Sequence, residues 1–532
     1  MKSSNRIGFP GGLALAGWAM SALCAAPLEV HLRQRVETAP GTGRYAVVQS
    51  TERWEGRRTA VVVCDMWDRH WCRHATARVA AMAPRMNAVL KAARRRGALI
   101  IHCPSGTMAF YRDTPQRRRA RAAPRVEPKA PLQNWCPLDP AREPPLPIDD
   151  SDGGCDDATP GRAVRVYTRQ IATLEIAPED AITDSAEAYY LMRQRGITNV
   201  IVMGVHLNMC VLGRPFGIRQ LVRQGLRVAL MRDLTDTMYN PRRPPRVSHF
   251  AGTDLVVAHV EKYWCPTLTS ADFVGGAPFR FPADHRPTVA LVIGENEYHT
   301  WETLPEFAER ELIPHDCRVE FVTSSTDTRD FAWANWRALA RADGVLLSAR
   351  RRAAPREMLD LLRARLAAGC GLAGIRTASH AFWVRDEKER ARLDARPELA
   401  HWPELDATVL GGHYHDHHPP GPPVTVTPAG GAAEQPILRG VDPAGLVGHG
   451  SLYRVRPLAP DATPLLLGRI PGQPPEPVAW MRLHGPRQAR IFYTALGHPE
   501  DFSEPAFRRL LLNGVLWTLR APGPPGEKSG TP

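Results

Sequence analysis

Two rounds of strand–helix–strand alternation constrain this sequence more than any other feature. Thr59–Cys64 (TAVVVC) is an unbroken apolar, β-branched run that ends at Asp65. A helical pattern over Ala75–Arg96 follows, Gly97 closes it, and Ala98–His102 (ALIIH) is the next strand. Asn199–Gly204 (NVIVMG), a helix reaching Gln224, the capping Gly225 and Arg227–Met231 (RVALM) repeat the rhythm. Strands with no polar face are buried on both sides, so they predict parallel sheets covered by helices. The rhythm restarts after residue 286. Strands are expected at Thr288–Gly294, Arg318–Thr323, Gly344–Ser348 and Gly371–Ile375, with helices at Thr303–Leu312 and Pro355–Ala368. The expected fold is α/β: two consecutive three-layer α/β/α domains, each with a mostly parallel sheet.

A chain of 532 residues needs more than one core. The Gly- and Pro-containing stretch 266–286 has no period and reads as a linker between domains at 55–265 and 287–521, with 27–54 as an N-terminal extension. Residues 117–165, rich in Pro, Arg and Asp, interrupt the first domain as either a lid or a solvated insertion. The tail 522–532 reads as disordered. Lys2 and Arg6 before the short apolar run Gly11–Ala25 form an export signal cleaved near residues 24–26, or else an uncleaved anchor. A periplasmic or secreted protein is expected, with no later membrane span.

The formal charge of +13 comes almost wholly from Arg, since Lys occurs only at 2, 91, 129, 262, 388 and 528. The charge is spread along the chain with no nucleic-acid-binding signature, so no nucleic-acid partner is expected. Nine of the ten Cys follow the signal, an odd number that leaves at least one thiol unpaired. No CxxC pair is present to build a zinc site. Cys64 and Cys103 read as core residues, and Cys136 with Cys155 as a candidate disulfide.

In open α/β sheets ligands bind at the carboxyl ends of the strands. Asp65 ends one strand, Cys210 follows another at the start of a helix, and Arg169 ends the strand-like Ala163–Thr168. A helix N-terminus lowers a thiol's pKa, a carboxylate takes its proton, and a cation balances the charge. The alternative for Cys210 is a buried core thiol. Asp65-Met66-Trp67-Asp68, Gly204-Val205-His206-Leu207-Asn208-Met209-Cys210-Val211, Gly225-Leu226-Arg227-Val228 and Arg232-Asp233 together resemble the isochorismatase-like cysteine hydrolases over residues 55–265. The resemblance implies an Asp–Lys–Cys triad, with Arg169 where the Lys belongs. It implies a cis peptide at Val205–His206 and an oxyanion hole from the N–H groups of His206 and Cys210. It further implies cleavage of a C–N bond in a small molecule through a thioester, with Trp67 and Asp68 lining the pocket, and it allows a homo-oligomer. The Asp-x-His metal pair of nicotinamidases is missing from His102-Cys103-Pro104-Ser105, so neither metal nor other cofactor is expected.

The second half resembles ThuA-like (trehalose-utilisation) domains of class I glutamine-amidotransferase-like fold. The resemblance is carried by Gly371–Arg376, by Gly411-Gly412-His413-Tyr414-His415-Asp416-His417-His418, and by Arg490–Pro499 with Leu511–Trp517. It implies a carbohydrate-like ligand. Arg376-Thr377-Ala378-Ser379 stands where an amidotransferase has its nucleophilic Cys, so the sequence does not support that chemistry. His299, Arg376, His413, His415 and His498 are the candidate pocket residues. The alternate histidines invite a metal, but the following Pro419-Pro420 makes a loop with structural or substrate-contacting histidines the preferred reading. Two other functions stay open: a catalytically altered binding protein, and a sugar-processing enzyme whose chemistry lies in the second domain.

Overall fold

A computed structural model describes residues 27–325, 327 and 330–519. The expected export segment, 1–26, and the tail, 522–532, lie outside the described residues. The chain forms two consecutive α/β domains, each with a central sheet between helices. The first sheet holds β1 (Leu28–Glu37), β2 (Tyr45–Trp54), β3 (Thr59–Cys64), β4 (Leu99–Cys103), β5 (Ala181–Ile182), β6 (Asn199–Val205), β7 (Arg227–Asp236) and β8 (Thr267–Leu268). Their order is β2-β1-β8-β7-β6-β3-β4-β5. All pairings from β8 to β5 are parallel, whereas β1 runs antiparallel to both β2 and β8. β3 and β6 are buried at every position, as runs lacking a polar face require. The sheet's far edge is thus built from segments that the sequence assigns to an extension and a linker.

The helix expected at Ala75–Arg96 spans Arg73–Arg95 and buries Val79, Met82, Ala83, Met86, Val89, Leu90 and Ala93, the spacing of one helical face. Ala163–Thr168 is not a strand. It lies mostly exposed, pairs with no strand among the described residues, and is held by Arg165 on the Gly106 carbonyl, by Tyr167 against Trp67, and at its end by Asp68 and the Trp67–Gln170 bridge.

From Glu143 to Asp157 the insertion is fastened to the domain rather than left as a bare solvated loop, while 158–165 lie exposed. Glu143 is buried and accepts from Arg219 Nε, His259 Nε2 and Trp264 Nε1, each at 2.8 Å. The acidic run then fastens in succession. Asp149 takes Arg243 and Asp150 takes Asn208 Nδ2 (2.7 Å). Asp152 takes Asn240 Nδ2 (2.8 Å), and Asp156 takes both terminal nitrogens of Arg78 (2.8 and 3.1 Å). Cys72, at the N-cap of the Arg73–Arg95 helix, supplies no side-chain cap. Asp157 does so from a distance, accepting the N–H groups of Arg73 (2.9 Å) and His74 (3.0 Å). Cys155 stands beside Cys72 and Asp157, while Cys136 donates to Gln220 (3.2 Å), so the Cys136–Cys155 pairing does not form.

The second sheet has ten strands in the order Trp333–Ala334, Arg318–Ser324, Thr288–Gly294, Gly344–Ala349, Gly371–Ile375, Ala489–Thr494, Glu476–His484, Thr463–Arg469, Val424–Pro428 and Val447–Gly448. It is parallel from Arg318–Ser324 to Ala489–Thr494 and antiparallel beyond, where short connections make hairpins of Thr463–Arg469 with Glu476–His484 and of Glu476–His484 with Ala489–Thr494. The β1–β2 hairpin touches both domains. Val47 packs in the second core, Gln49 accepts from Thr323 (2.8 Å), and Arg33 and Arg35 lie over the Phe321 ring at 5.7 and 5.2 Å. Glu309 receives Arg35 (2.6 Å) and Lys262 (2.7 Å). No helix among the described residues is long and apolar enough to cross a membrane.

Candidate active site

β3, β4 and β6 are neighbours and end at one edge, which brings Asp65, Ser105 and Cys210 together. Asp65 turns the chain out of β3 with φ 46°, a left-handed conformation that Asp tolerates better than most residues. This aims its carboxylate back into the protein. Oδ1 accepts the Ser105 N–H at 2.7 Å, and Oδ2 is buried with no hydrogen bond, 3.8 Å from Arg214 Nε. Gly204, beside Cys64, has φ 111°, and a Cβ there would meet the Cys64 carbonyl oxygen at 2.1 Å. Only glycine lets β6 pass so close to β3.

The Val205–His206 peptide is cis, as the resemblance implies. Leu207–Val211 then winds as one π-helical turn carrying the half-buried Cys210. Met209 and Val211 both donate to the His206 carbonyl (3.0 and 3.2 Å), which fixes the turn that carries the His206 and Cys210 amides. Those two amides are the pair expected to face an oxyanion.

The electrostatics differ from the expectation of a helix-acidified thiol. Burial first, then the Asp65 charge, push the Cys210 thiol well above its ordinary value, and Arg214 opposes them. Burial also raises the Asp65 carboxyl, against the pull of Arg214, the nearby Cys210 thiol and the Ser105 amide. At rest the thiol therefore keeps its proton beside a carboxylate made more basic than usual. His206 and His70, with rings 5.1 Å apart, are held neutral chiefly by burial, at about 3 and about 4.

Arg169 does not join this group. Its side chain is exposed and lies over the Phe110 ring at 5.4 Å. The cation paired with Asp65 is Arg214, one helical turn beyond Cys210, its guanidinium 5.7 Å over Trp135 of the insertion. Trp67 is buried, donates to the Ser105 carbonyl (3.1 Å) and stacks on Tyr167 at 4.2 Å, forming an aromatic wall. Asp68 instead binds Thr168 through its N–H (2.9 Å) and Oγ1 (2.6 Å), which makes it a clamp on the Tyr167 segment rather than a pocket group. His102 is engaged by Gln170 and Asp180, each at 3.0 Å. A second cluster, Cys72, Cys155 and Asp157, has metal-like proximity, but both Asp157 oxygens already cap the neighbouring helix.

In the second domain Arg376 is 3% exposed and sits between the rings of Tyr298 (4.1 Å) and Tyr453 (4.6 Å), donating to the Ala495 carbonyl at 2.7 Å. His498 approaches Tyr298, with ring centres 6.0 Å apart, and Asp501 holds its N–H at 3.0 Å. His299 is exposed and stacks on Trp301 at 4.6 Å. His413 and His415 are exposed, 5.8 Å apart, and no contact joins them to Arg376 among the described residues.

Fold and site together define a chain of two α/β units, the first with a thiol–carboxylate–cation cluster at its sheet edge and the second with a buried arginine at the corresponding edge. Residues 290–518 match the ThuA family, described as trehalose utilisation. Among solved structures, a ThuA-like protein from Bacteroides uniformis is 17% identical, with 46% of this chain and 95% of that chain covered and a TM-score of 0.33. A cysteine hydrolase from Pseudomonas syringae pv. phaseolicola is 20% identical, with 41% and 93% covered and a TM-score of 0.27. An isochorismatase family protein from Desulfovibrio vulgaris is 16% identical, with 38% and 90% covered and a TM-score of 0.21. No curated protein sequence matches the chain.

Proposed function

We propose that the first domain is an isochorismatase-like cysteine hydrolase that cleaves a C–N bond of a small molecule, in an exported chain whose ThuA-like region takes a carbohydrate-related ligand. The observation that carries the reading is the convergence of Cys210, the buried Asp65 and Arg214 at one strand edge. Asp65 accepts the thiol proton as Cys210 Sγ attacks the substrate's carbonyl carbon. Arg214 balances the charge, and the N–H groups of His206 and Cys210 receive the carbonyl oxygen as it becomes anionic. The C–N bond breaks and the amine leaves with the proton held by Asp65. Water, deprotonated by the same carboxylate, then splits the thioester to acid and thiol. No step uses Arg169.

The experiment is mass-spectrometric mapping of iodoacetamide labelling against pH, in the parent and in Asp65→Asn, followed by an amide panel. Cys210 labelling faster than the fully buried thiols, and more slowly in the variant, supports the reading. Labelling that ignores Asp65 sinks it. The raised thiol pKa favours one alternative, a ligand-binding protein on an altered hydrolase fold, and that reading would be adopted if no amide turns over while small molecules still protect Cys210.

A further inference from the structure

Three adjacent strands of the second sheet lead into left-handed, non-glycine residues at one edge: His299 (φ 52°) after Thr288–Gly294, Arg351 (φ 51°) after Gly344–Ala349, and Arg376 (φ 43°) after Gly371–Ile375. Such conformations are disfavoured for side chains with a Cβ, and they gather where a fold positions groups for a ligand. Arg376 is engaged by carbonyl oxygens and two tyrosine rings. Its neighbours are different. Arg350 pairs with Glu297. Among the described residues, neither Arg351 nor Arg385 makes an ion pair or a side-chain hydrogen bond, and the Nε of each is buried without an acceptor.

The two residues share one neighbourhood, since the charge of Arg385 and the Tyr414 ring both act on Arg351. Arg351 donates its N–H to the His380 carbonyl (2.9 Å). His380 stacks on Tyr414 at 4.5 Å, and Arg385 lies 5.8 Å from the Tyr414 ring and 3.9 Å from Trp383. Burial and the charges of Arg350 and Arg385 weaken Arg351's hold on its proton, against Tyr414 and the Glu297 carboxylate that Arg350 holds, and burial with the charges of Arg351, Arg350 and Arg385 keeps His380 neutral. A half-buried pair of unpaired like charges is unfavourable alone and favourable around an anion, whose oxygens match the guanidinium fork.

We propose that Arg351 and Arg385, with Arg350 beside them, bind the phosphate or carboxylate group of a sugar-sized ligand at the carboxyl edge of the second sheet. The sugar body rests on the carbohydrate-related reading of this region, whereas the anion site rests on the arginines and is independent of any hydrolysis in the first domain.

Titration calorimetry of the full chain with glucose 6-phosphate, glucuronate, inorganic phosphate and glucose tests this, using the parent, Arg351→Gln/Arg385→Gln, and the exposed control Arg337→Gln. Saturable binding of glucose 6-phosphate or glucuronate, none of glucose, an affinity loss of about tenfold or more in the double variant and none in the control is the expected result. Which of the two sugars binds separates phosphate from carboxylate. Binding of inorganic phosphate alone overturns the sugar-sized ligand, and equal binding by parent and double variant, or no binding, overturns the site. The double variant removes repulsion, so its ligand-free Tm should not fall, and a lower Tm also counts against the proposal. Cys210 labelling in the same samples reports the first domain separately.

Discussion

Asp65 has one oxygen satisfied by a backbone amide and the other aimed, without a hydrogen bond, between a thiol and a guanidinium. If Arg214 is the cation that balances the thiolate, Arg214→Gln should lower turnover by about 10²-fold and slow Cys210 alkylation. Arg169→Gln should leave both within about threefold, and steady-state kinetics on the two variants checks the contrast. Asp65, Cys210 and the His206 turn were legible because each directly follows an unmistakable buried strand. Arg214 was not, although it stands four residues past Cys210, because its direction depends on a π-helical turn that no periodicity announces. Asp406 was missed for a similar reason. It is 7% exposed, Oδ2 accepts the Tyr414 N–H at 2.6 Å, Oδ1 has no partner, and burial lifts its carboxyl to about 7. The folded state thus binds a proton that the unfolded chain releases near pH 4. Stability should fall as pH rises from about 4 to about 7, by at most about 4 kcal/mol. Asp406→Asn should flatten that slope, which a series of Tm values against pH would show.

Among the elements, the insertion departs furthest from its sequence. Its acidic run reads as solvated because its partners, Arg78, Asn208, Asn240 and Arg243, come from distant parts of the chain. Composition records charge but not pairing. Glu143 is the central fastener: burial raises its carboxyl, but hydrogen bonds from His259, Arg219 and Trp264 outweigh this and hold it at about 2. Its contribution is therefore complete above the unfolded value near 4.3 and is lost as pH falls toward 2. Glu143→Ala leaves Arg219 buried without its carboxylate and should cost about 3–5 kcal/mol. Limited trypsin digestion should then cut first within 122–165, while the parent resists there. Asp157→Ala, which uncaps the Arg73–Arg95 helix, should cost about 1 kcal/mol, read as a lower Tm.

At the scale of the whole molecule, the alternation of strands and helices made two α/β units legible, but the segments that join them were not. β1 and β2 pair antiparallel at a sheet edge, outside the repeating unit, and β8 is two residues long. The hairpin then ties the units together through Phe321 and Glu309. Glu309→Ala removes the shared partner of Arg35 and Lys262 and should turn a single calorimetric unfolding transition into two.

The hairpin also sets a timetable. β1 meets β8 at Arg33 and Thr267, 234 residues apart. At about 5–20 residues per second, a growing chain makes β1 on the order of 10–50 s before the strand that receives it. For that interval the outer edge of β1 has no partner. The first unit cannot close its sheet until β8 is made, just before the second unit begins, and the second waits as long again for Ala489–Thr494, the strand that joins its parallel and antiparallel parts.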